Sequence, residues 1–123
     1  MLDAVINSLQ QKLQQQQLLS AMVWEELDEA AYLDYRDGAD FDTDWINAYQ
    51  KLRREGLTPA EQDQLQEWSR LAFNETIKAS GSGDLAAYVS DDIDLIFSAH
   101  LLGLNDDFVN WLASCYNEGR LPA

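Results

Sequence analysis

Helix start and stop signals recur along the chain, and they constrain its fold more than any other feature of the sequence. The clearest signal is Thr58-Pro59-Ala60-Glu61, in which a capping hydroxyl precedes proline at the first helical position and glutamate three residues after the cap. An apolar face follows this signal, from Leu65 to about Ile77. The pattern predicts a helix that begins at Pro59.

A stripe of apolar residues at helical spacing lies near the start of the sequence. Its members are Leu2, Ile6, Leu9 and Leu13, which step by four, three and four residues along one helix face. The glutamine run at 14–17 has good helix propensity. We therefore expect helix from residue 2 to about residue 35, either as one long helix or as two helices that meet near Ser20.

A turn separates this region from the next predicted helix. The segment Asp37-Gly38-Ala39-Asp40 is typical of a turn, because glycine and aspartate favour the backbone conformations that turns require. Asp42 or Thr43 can cap the helix that follows, which carries an apolar face and ends at Gly56. The helix that begins at Pro59 comes next.

Two similar segments in the C-terminal third predict a pair of helices. Ser90-Asp91-Asp92-Ile93 and Asn105-Asp106-Asp107-Phe108 each place a capping residue and two acids at the head of an apolar stretch. Acids at these positions stabilise the positive end of the helix dipole. Gly103 and Gly119 follow the two stretches as stop signals. Residues 80–84 are expected to form a loop.

The composition favours a chain that folds by itself. Of its 123 residues, 46% are hydrophobic and four are tryptophan, whereas disordered acidic chains are poor in aromatic residues. No stretch of the sequence shows convincing strand alternation, and the segment 85–89 is too short to assign. We therefore predict an all-α fold, a compact bundle of about five helices that ends in a short helical hairpin, with residues 1–123 as a single acidic helical domain.

The segment from Glu25 to Asp44 combines dense negative charge with large aromatic side chains. It holds nine acids and one base, Arg36, which is a net charge of −8 in twenty residues. Such charge steers encounter with a basic partner, and the rings supply contact area. The predicted partner-binding residues are Glu25, Glu26, Asp28, Glu29, Tyr35, Asp37, Asp40, Phe41, Asp42 and Asp44.

The charge of the whole chain separates the classes of partner. The net charge is −14 and the isoelectric point is near 4.1. Nucleic acids and anionic membranes attract basic surfaces, so direct binding to either is not expected. The expected partner is a basic protein, such as a nuclease or another nucleic-acid-binding protein. The first residues lack the features of a secretory signal, so a cytoplasmic location is expected.

Two functions fit these observations. The leading hypothesis is a non-enzymatic protein that inhibits a basic partner by covering it, as immunity proteins do to nuclease toxins and DNA mimics do to nucleic-acid-binding proteins. The alternative is a small secretion or assembly chaperone or adaptor. In that case the N-terminal apolar stripe would bind a partner helix, or would pair two copies of the chain as a homodimer.

Two acidic patterns partly match metal-binding signatures. Asp40-x-Asp42-x-Asp44 is similar to the first half of a calcium loop, but Trp45 and Lys51 occupy the positions that need glycine and glutamate. Glu25-Glu26-x-x-Glu29 resembles, over five residues, the first half of the magnesium signature of the all-α nucleotide pyrophosphohydrolases of the MazG type. That resemblance implies Mg²⁺-dependent hydrolysis of a nucleoside triphosphate. The second acidic pair of the signature does not occur in this sequence.

No catalytic residue and no cofactor are predicted. His100 is the only histidine, so the sequence holds no second histidine for a metal site and His100 is interpreted as structural. Cys115 is the only cysteine, and its apolar neighbours favour a buried, inert thiol. An enzyme is therefore not expected.

Overall fold

The part of the chain that the structure describes is mainly helical. The structure is a computed structural model that describes the backbone of residues 2–123 and the side chains of residues 4–123. Within this part lie seven α-helices: α1 (Leu2–Gln14), α2 (Ala21–Glu25), α3 (Glu29–Asp37), α4 (Ala39–Gln50), α5 (Pro59–Ser80), α6 (Gly83–Leu102) and α7 (Asp107–Asn117). A short 3-10 helix, Arg54–Gly56, precedes α5. The prediction of an all-α bundle is confirmed, with seven helices in place of about five.

The predicted helix from residue 2 to about residue 35 is divided into three helices. α1 ends at Gln14, and Gln16 then adopts a left-handed φ of 57°. The backbone N–H groups of Leu18 and Leu19 donate to Glu75 Oε2 on α5, at 2.9 and 3.3 Å. This tertiary contact satisfies donors that a continuous helix would have paired internally, so local propensity could not show the break.

α5 and α6 form a long hairpin that was only partly predicted. Thr58 accepts a hydrogen bond from Glu61 N and donates its own N–H to the Glu61 side chain, so the predicted capping box is confirmed. Gly81, at φ 71°, ends α5 in the left-handed region that glycine tolerates. Ser82 Oγ then caps α6 by accepting from Leu85 N at 3.2 Å. α6 therefore begins well before Ser90, and residues 80–84 are mostly helical.

The N-terminal apolar stripe is buried within the chain. Ile6, Leu9 and Leu13 are each at most 2% exposed, and α1 packs against α5, α6 and α7. Lys12 Nζ also donates to the carbonyl of Asn117 at the end of α7, at 2.6 Å. The side chain of Leu2, the remaining member of the stripe, lies outside the described residues.

Because this stripe is buried, it is not available to bind a partner helix, as the chaperone alternative required, or to pair two copies of the chain as a homodimer. The apolar face that was to receive a partner helix or a second copy already contributes to the core. Exposing this face would reduce the free energy of unfolding by roughly 1.5–3 kcal/mol for each large apolar side chain. Among residues 2–123, no helix combines the length and apolar character needed to cross a membrane.

Candidate partner-binding surface

The acidic segment folds into three short helices whose carboxylates all face solvent. Its acids lie at the end of α2, along α3 and in the first half of α4, and all nine are exposed. Gly38 joins α3 to α4 in an extended conformation that interrupts the helix, and the two helices then pack against each other. The structure thus places the ten predicted partner-binding residues on adjacent elements, although it does not test their binding role.

The single base of this segment does not offset the surface charge. Arg36 is 4% exposed, and its guanidinium makes a bidentate ion pair with Asp92 in the middle of α6. Asp92, predicted as a helix-capping acid, is instead fully buried. Since Arg36 is neutralised internally, the nine exposed carboxylates of the segment have no compensating cation within it.

A polar and aromatic network encloses this ion pair. Trp45 Nε1 donates to Asp92 Oδ1 at 2.9 Å, and the Tyr116 hydroxyl donates to Asp92 Oδ2 at 2.5 Å. The guanidinium carbon of Arg36 lies 4.3 Å from the centroid of the Phe41 ring and 4.6 Å from that of Tyr88. The network links α3, α4, α6 and α7, and it was not foreseen from the sequence.

The pKa values of the groups around Asp92 reflect burial and the nearby charges. Burial first, and then the Asp92 carboxylate, raises the pKa of Tyr116 well above its ordinary value. Burial also raises the pKa of Tyr32 to about 12, although Arg36 opposes this shift. Burial disfavours the charged form of Arg36, but the Asp92 carboxylate outweighs it and the pKa of the guanidinium is raised. At physiological pH, Tyr32 and Tyr116 are therefore neutral and Arg36 is charged.

Some of the predicted binding residues have partners inside the protein. Asp28 caps α3 by accepting from Ala31 N at 3.1 Å. Glu29 accepts from the Ser82 hydroxyl at 3.1 Å, and Asp37 accepts from the Tyr88 hydroxyl. These three acids therefore help to hold α3 in place, in addition to carrying surface charge.

The aromatic residues of the segment divide into core and surface. Phe41 and Tyr32 are buried, and Trp24 and Trp45, which flank the segment on either side, are half-buried. Tyr35 is 43% exposed and is the most accessible ring of the segment. Of the two aromatic residues predicted to bind a partner, Tyr35 thus presents the larger surface, while Phe41 mainly supports it from beneath.

The three aspartates of α4 lie on two sides of that helix. Asp42 lines a small cleft of about 210 Å³ between α4 and α6, together with Trp45, Tyr88 and Asp91. Asp40 and Asp44 line a larger opening of about 510 Å³ between α4 and α7. Because the three side chains diverge from a helix and do not converge from a loop, they do not form the calcium loop that their spacing resembles.

The opening between α4 and α7, hereafter the α4–α7 cleft, combines acids and aromatic rings. Tyr35, Phe41, Phe108 and Trp111 form its apolar wall, and Asp40, Asp44 and Asp107 supply its carboxylates. The three residues from α7 were not among the predicted binding residues. The sequence signal at Asn105-Asp106-Asp107-Phe108 indicated only a helix cap, which Asp106 indeed provides by accepting from Val109 N.

The magnesium signature is not assembled. Glu25 ends α2 and Glu26 is its C-cap, whereas Glu29 begins α3 beyond the cap residue Asp28. The three carboxylates therefore do not lie on one helix, as the resemblance to the pyrophosphohydrolases requires. Within the described part of the chain, no group of three or more acidic, histidine or cysteine side chains could hold a metal ion.

The single thiol is confirmed as buried. Cys115 lies in the interior of α7, and burial raises the pKa of its thiol above the ordinary value. A thiolate is the reactive form of cysteine, so this position suits packing and not nucleophilic chemistry.

Comparison with known proteins identifies the family. Curated proteins give no significant match. The family model described as Immunity protein PIM1 matches residues 8–123, which is nearly the whole chain. The chain therefore belongs to the immunity protein PIM1 family.

Proposed function

We propose that this protein is a non-enzymatic inhibitor that binds a basic toxin through the exposed acidic surface of α2, α3 and α4. The observation that carries the proposal is the uncompensated charge of this surface, since its nine carboxylates face solvent and its only base is paired with Asp92 in the interior. Membership of an immunity protein family supports an inhibitor of this kind.

The toxin best matched by this surface is a nuclease or another protein that binds nucleic acid. Such proteins carry a basic face that neutralises phosphates, and an acidic protein seated on that face would exclude the substrate. Complementary charge also accelerates encounter between the two proteins. The residues proposed to make this contact are Glu25, Glu26, Asp28, Glu29, Tyr35, Asp37, Asp40, Phe41, Asp42 and Asp44.

The partner can be isolated by its charge. The tagged protein is incubated with its native lysate at low ionic strength, eluted with steps of increasing salt, and the eluate is identified by mass spectrometry. The proposal expects a basic toxin that is released at moderate salt and whose activity is inhibited by the added protein. Capture of an acidic or neutral partner, or one that is retained at high salt, would overturn it.

Charge reversal then tests the surface. Asp40→Lys with Asp42→Lys should weaken binding of the captured toxin by about tenfold or more, because like charges then meet across the interface. Asp40→Asn with Asp42→Asn is the milder variant, since asparagine does not place a cation near the start of α4.

The matched control for charge reversal is Glu55→Lys with Asp63→Lys. Both residues are exposed and lie outside the acidic surface, so the variant makes the same change in net charge elsewhere. Circular dichroism establishes that each variant is folded. If the two lysine variants bind the toxin equally well, the acidic surface is not the docking site.

A further inference from the structure

The α4–α7 cleft has an aromatic wall built from a continuous set of ring contacts. Phe41 lies at its centre, with ring centroids 5.4 Å from Tyr35, 5.5 Å from Phe108 and 6.1 Å from Trp111. Phe108 and Trp111 are themselves 5.7 Å apart. Phe108 and Trp111 are half-buried and Tyr35 is exposed, so this wall remains partly open to a ligand.

The carboxylates of the cleft are available to an incoming cation. Asp40, Asp44 and Asp107 are exposed, and none of them forms a hydrogen bond or a direct ion pair with the side chains that the structure describes, although Lys51 interacts electrostatically with Asp107. Two basic residues near the cleft are already paired: Lys51 with Asp106 at 2.6 Å in the adjoining opening, and Arg36, close to the Phe41 ring, with the buried Asp92. The cleft therefore keeps three negative charges around an apolar wall.

The protein already holds one arginine by the same combination of groups. The Arg36 guanidinium stacks near Phe41 and Tyr88 while Asp92 accepts from both of its terminal nitrogens. A planar guanidinium can stack on a ring and bind a carboxylate at the same time, whereas a lysine ammonium offers only a compact charge. Phe41 takes part in both settings, because it also belongs to the cleft wall.

We propose that the α4–α7 cleft receives an arginine side chain from the surface of the toxin. This inference rests on the proposed function, and it adds the anchor point, the chemistry of the group that enters and the participation of α7. The guanidinium stacks on the aromatic wall, and its N–H groups donate to Asp40, Asp44 or Asp107. A desolvated arginine among aromatic rings is the kind of contact that dominates binding energy at interfaces.

The chemistry of the cleft is tested with small probes. N-acetyl-L-arginine amide is titrated into the isotopically labelled protein and compared with N-acetyl-L-citrulline amide, its neutral analogue, at matched ionic strength. Nuclear magnetic resonance is expected to show saturable shifts of the Trp111 indole N–H with the arginine probe, at roughly millimolar affinity. Equal shifts with citrulline, or shifts spread over the whole acidic surface, would overturn the proposal. Equal shifts with N-acetyl-L-lysine amide would overturn the choice of a guanidinium.

Three variants, each lacking three charges, separate this inference from the proposed function. The cleft variant is Asp40→Asn, Asp44→Asn and Asp107→Asn. The surface variant is Glu25→Gln, Glu26→Gln and Asp42→Asn. The remote variant is Glu55→Gln, Asp63→Asn and Glu67→Gln, three exposed acids outside the acidic surface and the cleft. The cleft variant should lose the arginine response and should bind the toxin about tenfold more weakly than the surface variant does.

The outcomes of this comparison are distinct. If the cleft and surface variants weaken toxin binding equally, relative to the remote variant, acidic docking stands and the arginine anchor is overturned. If neither differs from the remote variant, the acidic surface is not the binding site, and both proposals are overturned.

Discussion

Arg36 and Asp92 form a bidentate ion pair inside the helical bundle, with Nη1 2.8 Å from Oδ2 and Nη2 2.7 Å from Oδ1. The pair fastens α3, which carries much of the acidic surface, to the middle of α6. It also removes the positive charge of Arg36 from that surface. One buried contact therefore supports both the position and the charge of the proposed docking site.

Asp92→Asn should destabilise the protein strongly. The substitution keeps the size of the side chain but leaves the Arg36 guanidinium buried without its counter-ion, a change that typically costs about 3–5 kcal/mol. Urea denaturation followed by circular dichroism measures the loss in the free energy of unfolding.

Asp91→Asn is the matched control for this prediction. Asp91 is the exposed neighbour of Asp92 on the same helix, so its change should stay within about 0.5 kcal/mol. Equal free energies of unfolding for the two variants would contradict the structural role given to the buried pair.

Thr58→Ala should lower the free energy of unfolding by about 1 kcal/mol. The substitution removes the hydroxyl that accepts from Glu61 N at 3.1 Å, and it weakens the reciprocal bond from Thr58 N to the Glu61 side chain. Thermal or urea denaturation provides the measurement. Thr58→Ser keeps the hydroxyl and should retain most of the stability, so a serine variant as unstable as the alanine variant would point to a cause other than the cap.

The elements that the sequence predicted well are those that depend on neighbouring residues. The capping box at Thr58 and the cap of α7 at Asp106 use hydrogen bonds within three residues, so the sequence contains the whole signal. The start of α6 was misplaced for the same reason, because Ser90-Asp91-Asp92 has the composition of a cap. Only the fold shows that Ser82 provides that cap, and that Asp92 lies in mid-helix beside Arg36.

In the candidate site, too, some features could be predicted from the sequence and others arise only from the fold. The density of acids from Glu25 to Asp44 is a property of the sequence, and their exposure follows from the cost of burying charge. The burial of Arg36 and the approach of Phe108 and Trp111 to α4 depend on contacts across more than fifty residues. No local pattern carries such contacts, so the α4–α7 cleft could not be predicted.

Glu75→Gln should change how stability depends on pH. Burial raises the pKa of Glu75 above its ordinary value, although the N–H groups of Leu19 and Leu18 oppose this. Because the folded state holds the proton more tightly, the contribution of Glu75 to stability is full below the unfolded pKa, near 4.3, and is lost as the pH rises through the folded value.

The glutamine variant keeps an oxygen for the two N–H groups but cannot ionise. We therefore expect it to be at least as stable as the wild type at pH 7 and to lose this advantage as the pH falls below about 4. Urea denaturation across this pH range measures the difference, with Glu55→Gln at an exposed position as the control. A glutamine variant that is less stable than the wild type at pH 7 but equal to it at low pH would reverse the predicted sign.

The association rate of the protein with its toxin should depend steeply on salt. The exposed carboxylates of α2, α3 and α4 act at a distance, and the Debye length shrinks from about 30 Å at 0.01 M to about 3 Å at 1 M ionic strength. Steering by such a field raises association rates by about 10–10³-fold, so stopped-flow measurement across this range should show a fall of at least about tenfold. Dissociation should also become faster with salt, so that the toxin can be eluted, but it should change less than association because the stacking of an arginine in the α4–α7 cleft acts at short range.

Asp40→Asn with Asp42→Asn should reduce the salt dependence of the association rate. Glu55→Gln with Asp63→Asn should have a smaller effect, because these residues lie away from the acidic surface. An association rate that is independent of salt would show that the charge of the segment serves another purpose, such as solubility.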